Sequence, residues 1–149
     1  MKLTWFRLLV LSILLAACAP SASPALESGG ELLLVTDGTT EKSFSVADLE
    51  ALPVTESSFN EVTYTGISLA TLIDDAGFGD QELQAVKAIA ADGYSVNYDP
   101  ALFLREDVIV AYATVDGPLP EDDGTFRMVL PGEEGKANIR MLVELRLVP

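Results

Sequence analysis

In 149 residues there is one cysteine, Cys18, and no histidine, and the cysteine ends the run Leu15-Ala16-Ala17-Cys18 behind an apolar stretch. Residues 19–149 therefore contain neither thiol nor imidazole. A domain built from them has no disulfide, no zinc site of the usual ligands and no histidine general base. Whole classes of hydrolase and metalloenzyme are disfavoured.

Lys2 and Arg7 form a basic start, and Leu8 to Leu15 is apolar apart from Ser12, too short a run to span a bilayer as a helix. Residues 1–17 read as a signal peptide. The small pair before Cys18 resembles the lipobox of bacterial lipoproteins, which implies cleavage before Cys18 and acylation of its thiol. Two or three acyl chains would anchor the chain without spanning the membrane. An extracytoplasmic location follows, on an outer membrane or the outer face of a plasma membrane; Ala19 offers no aspartate-type retention signal.

The full chain has 9 basic and 23 acidic residues, and cleavage removes two bases and no acid, leaving a charge near −16. So acidic a surface repels nucleic-acid phosphate and anionic headgroups, which leaves anchoring to the lipid and excludes polynucleotide partners. Residues 18–30 comprise the lipidated cysteine and a small, polar, proline-broken tether. Residues 31–149 are enough for one core.

Within that domain Glu31 to Thr36 and Val108 to Thr114 read as strands. Gln84 to Ala91 and Tyr94 to Tyr98 read as a hairpin about Asp92-Gly93. Alternation of Ile139, Met141, Val143, Leu145 and Leu147 with Arg140, Glu144 and Arg146 predicts a long last strand that closes the sheet. Ser45 with Asp48, Ser68, and Asp99 before Pro100 are helix N-caps, and Gly77 suits a left-handed helix end. The fold class is α+β, a β-rich mixed-sheet domain with two or three short helices.

The blocks Phe44 to Pro53, Tyr64-Thr65-Gly66-Ile67-Ser68-Leu69 and Asp75-Ala76-Gly77-Phe78 resemble the front half of the sulfite-oxidase-type molybdopterin-binding domain. Asp107 to Tyr112, Asp116-Gly117-Pro118-Leu119-Pro120, Phe126 to Gly132, Gly135-Lys136 and Ile139 to Leu142 resemble its back half, so the likeness covers residues 32 to 148. In that family, the resemblance implies, a cysteine thiolate between the first helix and the glycine turn before the second ligates molybdenum. Val54 to Tyr64 here holds none, and a serine hydroxyl such as Ser57 or Ser58 does not replace a soft thiolate. The family's histidine before the pocket arginine is also absent from Glu121 to Arg127.

Arg127 is the family position carried over as an anion or cofactor contact, with Lys136 and Arg140 as additional charges near the Pro131-Gly132 turn. Pairing of Arg127 with Asp122 or Asp123 is the competing reading. No catalytic or metal-binding residue is named, and Cys18 is the lipidation site. Gly132 to Lys136 lacks phosphate-loop spacing, and the acids from Asp116 to Asp123 lack a calcium-loop pattern. No cofactor is expected, molybdopterin being the alternative that the resemblance implies. The expected role is a non-catalytic, membrane-anchored module binding an envelope protein or a small anionic ligand. A molybdenum-cofactor oxidoreductase, or its cofactor-binding subunit, is the alternative.

Overall fold

Ser45 has extended backbone, its hydroxyl accepts from the Asp48 N–H, and the Asp48 carboxylate accepts from the Ser45 N–H at 2.7 Å. This capping box starts helix α1 (Val46–Glu50). In the same way Ser68 caps α2 (Leu69–Ile73), and Asp99 with Pro100 behind it caps α3 (Pro100–Phe103). Beyond α2 the chain widens through one π-type turn, Asp74–Phe78, and reverses at Gly77 with φ 91°. These features come from a computed structural model that describes residues 31–149. The segments read from the sequence as a signal peptide and a tether, with Cys18, lie outside the described residues.

Two five-stranded sheets carry the fold. The first uses β1 (Leu33–Thr36), β2 (Glu41–Phe44), β5 (Ala85–Ala90), β6 (Ser95–Tyr98) and β10 (Leu142–Val148), in the order β2-β1-β10-β5-β6. Only β1 and β10 pair in parallel, Leu34 opposite Glu144. The second uses β3 (Thr55–Phe59), β4 (Val62–Ser68), β7 (Ile109–Thr114), β8 (Gly117–Pro118) and β9 (Arg127–Val129). Here β4 flanks one edge of β7, while β8 and β9 share the other.

Strand alternation divides the apolar residues into two layers. Leu33, Val35, Val86, Ala88, Leu145 and Leu147 from the first sheet share one core with Ile67, Val110 and Met128 from the second, closed by Leu49, Leu72 and Phe126. On the opposite face of the second sheet Tyr64, Ile109, Ala111 and Val129 form a smaller core with Phe59 and Leu119. Ile109 and Ala111 point one way and Val110 the other, the period-two consequence of a pleated strand. Arg127 and Val129 likewise share the face opposite Met128. The functional cleft develops over the smaller core.

The last strand differs from its sequence reading in two respects. It is the central strand of its sheet, and it starts at Leu142 rather than Ile139. Met141 has φ 52° and is 45% exposed, and the register slips between Leu142 and Glu144. That bulge puts Leu142, not Met141 or Val143, in line with Leu145 and Leu147. The hairpin about Asp92-Gly93 forms as read, with Gly93 at φ 87° and the Asp92 carboxylate accepting from the Tyr94 N–H.

Candidate functional site

The stretch in which the resemblance implies a metal-ligating cysteine folds as the β3–β4 hairpin. Its strands pair without interruption from Thr55 opposite Gly66 to Phe59 opposite Val62. Asn60 and Glu61 make the turn with φ 50° and 65°, the left-handed pair that suits a two-residue hairpin. Ser57 is buried and donates to the Asp107 carbonyl at 2.6 Å, and the Ser58 and Thr63 hydroxyls bond each other at 3.0 Å. Both serines therefore serve the sheet.

The hairpin supplies Phe59 and Tyr64 to one wall of the site, where Arg127 lies across them. Its guanidinium carbon is 4.5 Å from the Tyr64 ring centroid and 5.9 Å from that of Phe59. Arg127 Nη1 donates to the Tyr64 hydroxyl at 2.9 Å and to Asp123 Oδ2 at 2.8 Å. Both charged side chains are 6% exposed. Asp123 comes from the short 3-10 turn Glu121–Asp123, the partner that the sequence offers as the competing reading for Arg127. Arg127 Nε makes only a long contact to the Met128 carbonyl, and Nη2 has no partner among the described residues. No fully buried side-chain nitrogen or oxygen among the described residues is left unbonded, so Nη2 is not fully buried.

The opposite wall is the loop 131–141. Asn138 is buried beneath it; its Oδ1 accepts from the Leu130 N–H at 2.7 Å and its Nδ2 donates to the Leu130 and Glu134 carbonyls. Tyr98 donates to the Ala137 carbonyl and Tyr94 to that of Lys136. Met141 is fixed in its left-handed conformation by backbone bonds to Asp123 and Ala91. Gly124 passes so close that a Cβ there would lie 2.9 Å from Met141 Cα.

Between these walls runs a cleft of about 510 Å³ lined by Phe59, Tyr64, Asp122, Asp123, Arg127 and Arg140. It adjoins a hollow of about 280 Å³ lined by Tyr94, Lys136, Arg140 and Met141. The three cations singled out in the sequence thus border one continuous groove. They differ in state: Arg127 is held by Asp123, Lys136 pairs with Glu134 at 2.7 Å in the open, and Arg140 has no ion pair among the described residues. Hydrogen bonding between Lys136 and Glu134 raises the ammonium pKa and lowers the carboxyl pKa. An exposed pair of this kind adds little stability. Sequence reasoning missed Asn138 and read Tyr94 and Tyr98 only as aromatic core or pocket lining, with core favoured, since nothing local marks a side chain that bonds a distant carbonyl.

Among the described residues there is no cluster of three or more possible metal ligands of the cysteine, histidine, aspartate and glutamate type. The residues lining the groove provide no thiolate. They do not fit a cysteine-ligated molybdenum centre.

No helix among the described residues is long and apolar enough to cross a membrane. No curated protein matches the sequence. Among solved structures, the sulfane dehydrogenase SoxCD from Paracoccus pantotrophus is similar, with a TM-score of 0.67 at 18% identity, a likeness of fold. That match covers 79% of this chain and 38% of the dehydrogenase chain. Residues 32–149 match the family model of the oxidoreductase molybdopterin binding domain, and the chain belongs to that family.

Proposed function

We propose that this chain is a non-catalytic, lipid-anchored envelope lipoprotein that has kept the molybdopterin-domain fold and uses its groove to bind a small anionic ligand. The observation that carries this reading is the uninterrupted β3–β4 hairpin, which holds Ser57 and Ser58 in the sheet and presents no thiolate to the groove. A groove of about 510 Å³ falls in the range of small-molecule sites. Arg140 is its available cation, with Arg127 Nη2 and Lys136 beside it. Anchoring through Cys18 rests on the sequence of residues 1–18 and gives the groove its extracytoplasmic setting. An envelope protein seated on the same groove is the alternative occupant.

Family membership itself favours a second reading, a molybdopterin-dependent oxidoreductase or a cofactor-binding subunit of one. One measurement separates the two. The full-length chain is expressed in a host that makes molybdenum cofactor, purified, and assayed for molybdenum by mass spectrometry and for pterin by fluorescence after oxidation. The binding-module reading expects neither; near-stoichiometric molybdenum with pterin would replace it with the second. For the ligand itself, calorimetric titration with inorganic sulfate or phosphate should show binding to the wild type and none to Arg140→Glu.

A further inference from the structure

Arg127 is a cation whose ligand site is already built and already filled. Its guanidinium plane is fixed by the Tyr64 ring and, farther off, by that of Phe59. Both hydrogens of Nη1 are engaged, one by the Tyr64 hydroxyl and one by Asp123 Oδ2. The arginine belongs to strand β9, but the carboxylate does not. It arrives from the turn Glu121–Asp123, whose backbone is pinned by bonds from the Asp123 N–H to Pro120, the Gly124 N–H to Glu121 and the Met141 N–H to the Asp123 carbonyl. A loop thus delivers one oxyanion to a strand-borne cation at the floor of an open groove.

We propose that Arg127 Nη1, oriented by the Tyr64 hydroxyl that accepts from it, forms a seat for a small carboxylate or other oxyanion, and that Asp123 fills this seat from within the chain. The wild-type protein is then closed to soluble anions at this position, whatever binds at Arg140. The geometry has the elements of anion recognition: a guanidinium donor, a hydroxyl that holds that donor in place, and a buried setting in which a charge-assisted bond is strong. Replacing the tethered carboxylate by a free one should restore the same contacts. The inference does not depend on the ligand reading above, and its failure leaves that reading in place.

The test is chemical rescue. Asp123→Ala removes the carboxylate and leaves its space beside Arg127. Thermal unfolding of this variant is followed by far-UV circular dichroism in sodium formate and in sodium chloride at matched ionic strength. The midpoint should rise saturably in formate above its value in chloride, while the wild type responds to both salts alike. The double variant Asp123→Ala/Arg127→Met, which removes both charges, should lose the difference. Equal midpoints in the two salts for Asp123→Ala, or a formate effect that persists in the double variant, would overturn the proposal. If Asp123→Ala is unfolded in chloride, recovery of native signal after dilution from urea is compared in the two salts. Recovery in formate alone supports the seat, and no recovery in formate overturns it.

Discussion

The Tyr98 hydroxyl, on a strand at the edge of the first sheet, donates to the Ala137 carbonyl at 2.6 Å and so ties the groove loop to the β5–β6 hairpin. Tyr98→Phe should lower stability by about 1–2 kcal/mol, because a partly buried carbonyl loses its donor. Urea unfolding measures the cost, and faster amide exchange in the loop 131–141 would show that it falls there.

Burial pushes the Tyr98 hydroxyl pKa well above its ordinary value of 10.0. The neutral form is therefore favoured in the folded state, and the folded protein holds a proton that the unfolded chain gives up. Stability from this group is complete below pH 10 and declines as pH rises above it. Tyr98→Phe should flatten that alkaline decline in a series of melts from pH 8 to pH 11.

Asn138→Ala removes three hydrogen bonds and strands the buried N–H of Leu130, while the Leu130 carbonyl keeps the Glu133 N–H. A loss of about 1–3 kcal/mol is expected from the one orphaned backbone N–H. Asn138→Asp should be nearly as costly, since a carboxylate cannot donate to the Leu130 and Glu134 carbonyls. Denaturant midpoints of the two variants test the point.

Gly66 lies at the bulge between β4 and β7, where a Cβ would run into the Val110 carbonyl and lie 2.7 Å from Ala111 Cα. The atoms in the way are backbone, so they cannot rotate aside. Gly66→Ala should cost about 3 kcal/mol or more and reduce the soluble yield, as measured by expression and melting temperature. Gly38→Ala makes a useful contrast: nothing lies within 4 Å, but φ is 88°, so its cost is local strain of about 1 kcal/mol.

Arg105 grips Asp107 with two bonds, at 2.9 and 2.8 Å, and reaches the Pro131 carbonyl at 2.9 Å. The hydrogen bonds from Arg105 hold the Asp107 carboxyl pKa below its ordinary 3.8. The contribution is present above that value and lost as pH falls through the lowered one. With Asp107 half exposed, it should amount to less than about 1 kcal/mol. Arg105→Ala should accordingly reduce the stability difference between pH 6 and pH 3 only slightly.

Short-range chemistry was legible in the sequence. Ser45 with Asp48, Ser68, and Asp99 with Pro100 place three helix starts because a cap needs only its own next few residues. Asp92-Gly93 places a hairpin for the same reason. The turn at Asn60 and Glu61 carries no glycine, so the β3–β4 hairpin left no such mark. The bulge at Val143 escaped because strand β5, more than fifty residues away, decides the register. The Asp123–Arg127 pair was readable as a spacing, but its burial depends on Phe59 and Tyr64 arriving from another hairpin.

The parallel partnership of β1 and β10 sets a time order on assembly. The strand at the middle of the first sheet comes after the other four in chain order, and without it the sheet falls into two separate hairpins, β1–β2 and β5–β6. Two-stranded ribbons are marginal in water. This sheet therefore stays incomplete until β10 has emerged, and a truncation ahead of Leu142 would remove the shared centre rather than an edge.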